Sequence, residues 1–462
     1  MSNDLGRVAV VGAGITGLTA AYALLREARN SQVTVLEADN RVGGKIATTE
    51  FAGRAVDNGA DAFLARVPEA VDLCCEVGLA DDLVTPASRK AYVFTRGELR
   101  AFPSGLALGV PTDLEALAGS GVVSADGVER AQRDLTMPEH RSREDESVGA
   151  LVRRRVGDEV FETLVAPLLS GVYAGNADEL SVAVAAPQFV AALRERGSLI
   201  AGLRAQLSRA ESDAPVFYGL RGGTQQLVDA LAGEIGARGG RTLLDTRVER
   251  LRESSGGWRL DDQTGGSIEA DAVVITSPDY ATAAMLPETV PDVSRELAAV
   301  RYASVALVVF AVDGAAFDEP PEGTGFLVPE SEGLLLTACS WASSKWTHLS
   351  GDTVLLRASA GRVHDDRAFA LTDDELVTTL VSDLRRTMDL PAEPKSVRVT
   401  RWPRALPQFE PGHLDRVSRW RATLAGELPG VVLAGAGIEG LGIPACVRQA
   451  RDAVGQLLAG AG

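Results

Sequence analysis

Arg7-Val8-Ala9-Val10-Val11-Gly12-Ala13-Gly14-Ile15-Thr16-Gly17-Leu18 decides the fold of this chain. Residues 8–11 form a short apolar run rich in valine, too short for a helix and suited to a buried parallel strand. Gly12, Gly14 and Gly17 then make GxGxxG. The first permits a tight turn, the second lets backbone approach a pyrophosphate, and the third lets a helix pack close on the strand. Residues 18–25 carry apolar side chains at helical spacing, and the start of that helix offers free N–H groups to phosphates. Residues 33–36 make a second buried strand, closed by Glu37. That acid lies 20 residues beyond Gly17, where a βαβ unit needs a carboxylate for a ribose hydroxyl. A lone GxGxxG is a weak signal. Strand, helix and acid at the right distances turn it into a dinucleotide site, with FAD and NAD both open.

The chain has 462 residues, more than one simple core holds, so two or more structural units are expected. It is 45% hydrophobic, as globular proteins are. A net charge of −17 argues against nucleic acid and against a strongly anionic membrane as partners. An anionic substrate needs a local basic pocket against that field. The four cysteines (Cys74, Cys75, Cys339 and Cys446) contain no CxxC and read as small residues of a reducing cytoplasm. The four histidines are scattered without a ligand pair, so no metal is expected. The apolar run after Arg7 imitates a signal peptide, but its glycines explain it better as a nucleotide site. No stretch of 18 apolar residues indicates a transmembrane helix.

Outward from the fingerprint, residues 46–65 read as a hairpin and a loop, and 68–79 as a short helix. Strands are expected at 91–95 and 99–102 around a turn. Residues 103–214 read as a mainly helical insertion, with Asp145 and Ser147 as caps, a solvated charge run over 140–146, and one helix over 187–209. Residues 216–276 return to strands around a helix that ends near Ala237. Residues 295–405 alternate in long strands with a helix at 372–387, which fits an antiparallel sheet covered by helices. Residues 431–437 are again a buried strand running into glycines, followed by a final helix over 445–458. The expected fold is α/β: a Rossmann-type nucleotide domain from 1–70, 215–294 and 406–462, a substrate domain from 71–102 and 295–405, and the helical insertion 103–214.

Arg41-Val42-Gly43-Gly44-Lys45 resembles the second signature of flavoprotein oxidases, which points to FAD. Further segments resemble one family, the flavin-dependent protoporphyrinogen/coproporphyrinogen oxidases of haem biosynthesis. They are Gly59-Ala60-Asp61-Ala62-Phe63-Leu64-Ala65-Arg66, Ser170-Gly171-Val172-Tyr173-Ala174-Gly175, Gly222-Gly223 with Leu227, and Gly325-Phe326-Leu327-Val328-Pro329. Trp402-Pro403, Leu406-Pro407-Gln408-Phe409, Gly412-His413 and Gly440 with Gly442-Ile443-Pro444-Ala445-Cys446 complete the likeness, which covers nearly the whole chain. The soluble bacterial form, acting on coproporphyrinogen III, is the closer likeness, and the protoporphyrinogen enzyme is the alternative. Three positions depart from the family pattern. Thr224 stands where Met or Leu is common, Ala445 where Asp is common, and Val67 where a second basic residue is frequent.

The resemblance implies an amine-oxidase-like fold with FAD as hydride acceptor, molecular oxygen as oxidant, hydrogen peroxide as co-product and no catalytic side chain. It places Gly12, Gly14, Gly17, Glu37, Ala38, Gly44, Lys45, Val248, Trp402, Gly442 and Ile443 at the cofactor. Arg66, Tyr173, Gly175, Gly325 and Leu327 match positions at the substrate. Arg66 is the first cation for a propionate, since guanidinium grips carboxylate bidentately, with Lys345 and Arg404 behind it. A cytoplasmic location, peripheral membrane contact and product hand-off to a ferrochelatase belong to the same expectation. Two further readings stay open: an amine-oxidase-like flavoenzyme, for which residues 437–444 offer no aromatic cage, and a non-enzymatic flavin- or tetrapyrrole-binding protein.

Overall fold

The computed structural model describes residues 4–138, 144–209 and 215–460. In it Arg7–Val11 is a strand with four consecutive buried residues, as expected where both faces are covered. It is the middle strand of a parallel five-stranded sheet in the order Arg241–Leu243, Gln32–Leu36, Arg7–Val11, Ala272–Ile275, Val431–Leu433. Side chains alternate across it. Val8 and Val10 join a core with Leu18, Leu24, Val447 and Val454, supplied by the helices Ile15–Glu27 and Ile443–Gly460. Ala9 and Val11 face the other way, into a core with Trp258, Leu260, Trp420 and Leu424. A three-stranded meander (Val248–Ser254, Gly257–Asp262, Ser267–Ala270) and the helix His413–Glu427 cover that face.

The second sheet has seven strands, ordered Ser396–Pro407, Tyr302–Asp313, Thr353–Ala360, Leu336–Trp341, Gly325–Leu327, Tyr92–Thr95, Glu98–Ala101. All neighbours are antiparallel except Gly325–Leu327 beside Tyr92–Thr95. The helix Asp373–Met388 packs Leu376, Leu380 and Leu384 onto its core. Thr372 and Glu375 form a reciprocal capping box at the start of that helix.

Helices dominate the described residues between 114 and 209, around a core of Leu117, Leu151, Phe161, Leu164, Phe189 and Leu203. Inside it Arg155 is ion-paired with Asp134, whose other oxygen accepts from Ser198 Oγ (2.7 Å) and the Ile200 N–H (2.8 Å). Residues 161–165 form a π-turn leading into the helix Ala166–Tyr173.

Several expectations need correction. Residues 187–209 are two helices, Pro187–Arg196 and Leu199–Arg209, because Gly197 turns left-handed (φ +68°) and Ser198 Oγ caps the Ala201 N–H. Ser147 does cap its helix, accepting from the Ala150 N–H. Asp145 instead accepts from Ser181 Oγ and from the N–H groups of Ala183 and Gly412, so it ties three segments together. Residues 140–143 of the charge run lie outside the described residues. The last long strand of the region expected over 295–405 runs Ser396–Pro407, two residues past that bound, and carries Trp402 within it. Among the described residues no helix is long and apolar enough to cross a membrane.

Candidate active site

The turn after the first strand has geometry its sequence requires. Gly12 adopts φ +104°, and its N–H donates to the Leu36 carbonyl (2.7 Å), which pins the turn to the neighbouring strand. A Cβ on Gly17 would lie 1.8 Å from the Gly12 carbonyl oxygen, so only glycine lets the helix sit this close. A Cβ on Gly14 would meet nothing within 4 Å. Gly14 is also the helix N-cap, with no side chain capping the first turn. Open space therefore lies where helix N–H groups point, the arrangement that accepts a phosphate. Glu37 stands beside it. One carboxylate oxygen accepts from the Ala13 N–H (2.6 Å) and the other from the Asp39 N–H (3.0 Å).

The loop 41–46 closes over this turn. The Gly43 N–H donates to the Ala13 carbonyl (2.8 Å), and a Cβ on Gly44 would come 3.4 Å from Gly14 Cα. Arg41 braces the loop through the carbonyls of Val42, Gly44 and Ile46. Lys45 is reached by solvent, yet burial pushes its pKa down against the opposing pull of Cys446 and Asp279. An exposed side chain desolvated by the protein around it stands in a concave part of the surface, and Lys45 does so beside this turn. Asp279, which sequence reasoning missed, is buried just past the strand Ala272–Ile275, where ligands sit in parallel α/β sheets. Burial raises its pKa to about 6, although Tyr302 Oη donates to it (3.0 Å) and Lys45 lies near. The Gly442–Ile443 turn starts the last helix on the same side. Gly442 is exposed, and its carbonyl accepts from the Cys446 N–H (2.9 Å).

The segment 57–66 packs against that loop. A Cβ on Gly59 would lie 2.3 Å from the Lys45 carbonyl oxygen. Asp61 anchors the segment to the second sheet, accepting from Lys345 Nζ (2.8 Å), Arg357 (3.0 Å) and Trp346 Nε1 (3.0 Å). Burial opposes its ionisation, but the charges of Lys345 and Arg357 prevail and hold its carboxyl well below the usual range. Lys345, expected as a candidate propionate cation, is committed to Asp61. Trp402 Nε1 donates to the Asn58 carbonyl (2.7 Å), a second tie between the same units. The Thr224 hydroxyl, in place of the family's apolar residue, donates to Asp57 (2.8 Å) or the Ala60 carbonyl (2.9 Å), and so also steadies this segment.

Across the cleft, the end of the helix Ala166–Tyr173 exposes Gly171 and Val172, while Tyr173 is half-buried and its phenol is raised by burial to about 12. A Cβ on Gly171 would come 3.4 Å from Leu327 Cδ2, so this helix end and Leu327 form one wall. Gly175 and Gly325 are buried behind it. A Cβ would strike Gln408 Oε1 at 2.3 Å in the first case and the Cys339 carbonyl at 2.1 Å in the second. Arg66 is exposed and has no ion-pair or hydrogen-bond partner among the described residues, beside the exposed apolar side chains of Val216 and Phe217. Arg404 is exposed and stacked 3.8 Å over Tyr280. Val248 is buried in the core that includes Leu36, and Ala38 is exposed.

The positive-φ turn, the open space over an uncapped helix start, the acid at the neighbouring strand end and the cleft lined by Lys45 fit a bound dinucleotide. The chain belongs to the flavin-containing amine oxidoreductases, whose family model matches residues 15–458, and FAD is its cofactor. Within that class it is similar along nearly its whole length to porphyrinogen oxidases. It is 35% identical over 469 residues to the coproporphyrinogen III oxidase of Bacillus subtilis, covering 99% of each chain. The coproporphyrinogen III oxidase of Mycobacterium tuberculosis is 35% identical over 448 residues, 96% of each chain. A crystal structure from Exiguobacterium sp. 255-15, provisionally assigned as a protoporphyrinogen oxidase, superposes with a TM-score of 0.89 at 32% identity, covering 98% of this chain and 99% of that one.

Proposed function

We propose that this chain oxidises coproporphyrinogen III to coproporphyrin III in repeated two-electron rounds, with molecular oxygen as final acceptor and hydrogen peroxide as co-product. The observation that carries the reading is the 35% identity to a coproporphyrinogen III oxidase across 99% of both chains. Bound FAD supplies the hydride-accepting chemistry, so the protein contributes position and a dry pocket.

The N–H groups of the turn at Gly12, Gly14 and Gly17 receive the pyrophosphate, and Glu37 receives ribose hydroxyls. Ala38, Gly44, Lys45, Val248, Trp402, Gly442 and Ile443 border the cofactor. Gly171, Val172, Tyr173 and Leu327 form the apolar wall against the macrocycle, with Gly175 and Gly325 supporting it. Arg66, a cation without a partner among the described residues, takes a propionate at the mouth. In this reading 1–70, 215–294 and 406–462 hold the cofactor, 71–102 and 295–405 form the substrate sheet, and 103–214 roofs it. A cytoplasmic location, with product passed to a ferrochelatase, belongs to the same proposal.

Anaerobic mixing of purified holoprotein with coproporphyrinogen III tests the reading. Rapid bleaching of the flavin band is expected, with colour and porphyrin fluorescence returning on admission of oxygen. Faster bleaching by protoporphyrinogen IX would move the substrate to the alternative, and bleaching by neither would overturn the reading.

A further inference from the structure

Arg362 is a buried cation without an ion-pair partner among the described residues. It is 7% exposed, in the turn after the strand Thr353–Ala360. Its Nε donates to Ser170 Oγ (3.3 Å) and its Nη2 to the Val328 carbonyl (2.7 Å), both neutral acceptors. Its Nη1 makes no hydrogen bond among the described residues, and it is not among the polar atoms sealed from solvent without a partner. No carboxylate of the described residues lies within ion-pair distance. Asp365, three residues away, is gripped by Arg367 through Nε (2.9 Å) and Nη2 (2.8 Å).

The other deeply buried arginines differ. Arg155 is paired with Asp134, and Arg357 with Asp61. A full charge removed from water needs an opposite charge or dense hydrogen bonding, and two neutral acceptors supply neither. Burial accordingly depresses the pKa of Arg362, against weak opposition from Glu330 and Asp365.

The position of this charge is specific. Ser170 immediately precedes the exposed Gly171-Val172 at the end of the helix Ala166–Tyr173. Val328 immediately follows Leu327, which Gly171 faces. The Val363 N–H donates to the Ala174 carbonyl (2.7 Å), which fixes the arginine's turn to the same helix end. Arg362 thus joins the two segments of the apolar wall, with both N–H groups of Nη1 unpaired among the described residues.

We infer that Arg362 is a substrate-binding residue whose missing partner is a carboxylate of the tetrapyrrole, received through Nη1. This rests on the proposed function. It adds a second cation to Arg66, on a different segment, so two carboxylates are held at separate points of the chamber. A macrocycle gripped at two points presents one chosen bridging carbon rather than any of four.

The test uses holoprotein of wild type, Arg362→Met and Arg362→Lys, with coproporphyrin III as the bound probe and its tetramethyl ester as the uncharged control. Dissociation constants come from porphyrin fluorescence titration, alongside flavin content and thermal unfolding. Arg362→Met should weaken coproporphyrin III roughly ten- to a hundredfold, the range for losing one charge-assisted hydrogen bond. Ester binding and flavin content should hold, and Arg362→Lys should recover part of the loss. A purely structural role would weaken acid and ester alike. Equal acid affinity in wild type and Arg362→Met, or a parallel loss for the ester, overturns the assignment while leaving the proposed function intact. If Arg362→Met does not fold, the same comparison on Arg362→Lys decides. Wild type that binds no coproporphyrin III and is not bleached by its porphyrinogen overturns both.

Discussion

Replacing Gly17 with alanine places a methyl carbon 1.8 Å from the Gly12 carbonyl oxygen and 2.7 Å from Thr276 Oγ1. Ordinary contact needs about 3.5 Å, so the helix must retreat from the turn by about 1.7 Å. That retreat breaks the packing of Leu18 and Leu24 and strains Thr276, whose hydroxyl donates to the Val11 carbonyl (2.9 Å). Overpacking of this kind costs about 1–3 kcal/mol or more. Gly14→Ala is the matched control. Its new methyl meets nothing within 4 Å, and its φ of −73° suits any residue, so the fold should be indifferent. The same methyl occupies the space a pyrophosphate would take. The assay is flavin content after gel filtration, with thermal unfolding measured with and without added FAD. Gly17→Ala should lose both stability and flavin. Gly14→Ala should unfold at the wild-type temperature without FAD but miss most of the FAD-induced rise, which is worth about 2.7 kcal/mol at a hundredfold excess over Kd. Full flavin retention by Gly14→Ala, or unaltered unfolding of Gly17→Ala, would refute this division of labour between the two glycines.

Three further outcomes are expected. Asp61→Asn leaves Lys345 and Arg357 without their shared carboxylate and should cost about 3–5 kcal/mol at neutral pH. Because the Asp61 carboxyl is held below its ordinary range, that stabilisation is complete above about pH 4 and fades as the pH falls further. Denaturant titrations at pH 7 and pH 3 should therefore show the variant converging on wild type in acid. Asp279 runs oppositely. With its pKa raised to about 6 from 3.8, the folded state keeps a proton that the unfolded state has lost, so stability drops as pH rises through that interval. The drop amounts to about 3 kcal/mol, and Asp279→Asn should abolish it in unfolding free energies measured from pH 4 to 7. Asp134→Asn strips Arg155 of its partner inside the helical core and should destabilise by about 3–5 kcal/mol in equilibrium unfolding followed by circular dichroism.

The cofactor turn was legible because its determinants are local. Strand, glycines, helix and acid follow one another within residues 7–37, each with a preference that tertiary packing did not override. The helix that ends at Ala237 was legible for the same reason. What stayed hidden depends on partners distant in sequence. Lys345 reads as a free cation until Asp61, 284 residues away, meets it. Asp145 has the look of a cap for the helix beside it, yet it holds Gly412, 267 residues on. Arg362 shows no peculiarity among 46 basic residues until the fold buries it with two neutral hydrogen-bond acceptors. The break at Gly197 was missed because apolar spacing continues across it. The strand Ser267–Ala270 was missed because four residues, of which only Ala270 is fully buried, carry too little pattern.

The central sheet draws its strands from residues 7–11, 32–36, 241–243, 272–275 and 431–433, and its first helix rests on the last one. Synthesis at about 5–20 residues per second takes on the order of a minute for such a chain. The first strand emerges early, gains its second neighbour only with residues 272–275, and its sheet is complete only with residues 431–433. The helical segment between residues 114 and 209 has its own buried core and can condense while the remainder is still being made. The nucleotide sheet is therefore complete only when translation is nearly finished. A chain cut short before residue 431 carries the whole phosphate-binding turn but lacks the edge strand and the last helix, against which the first helix packs.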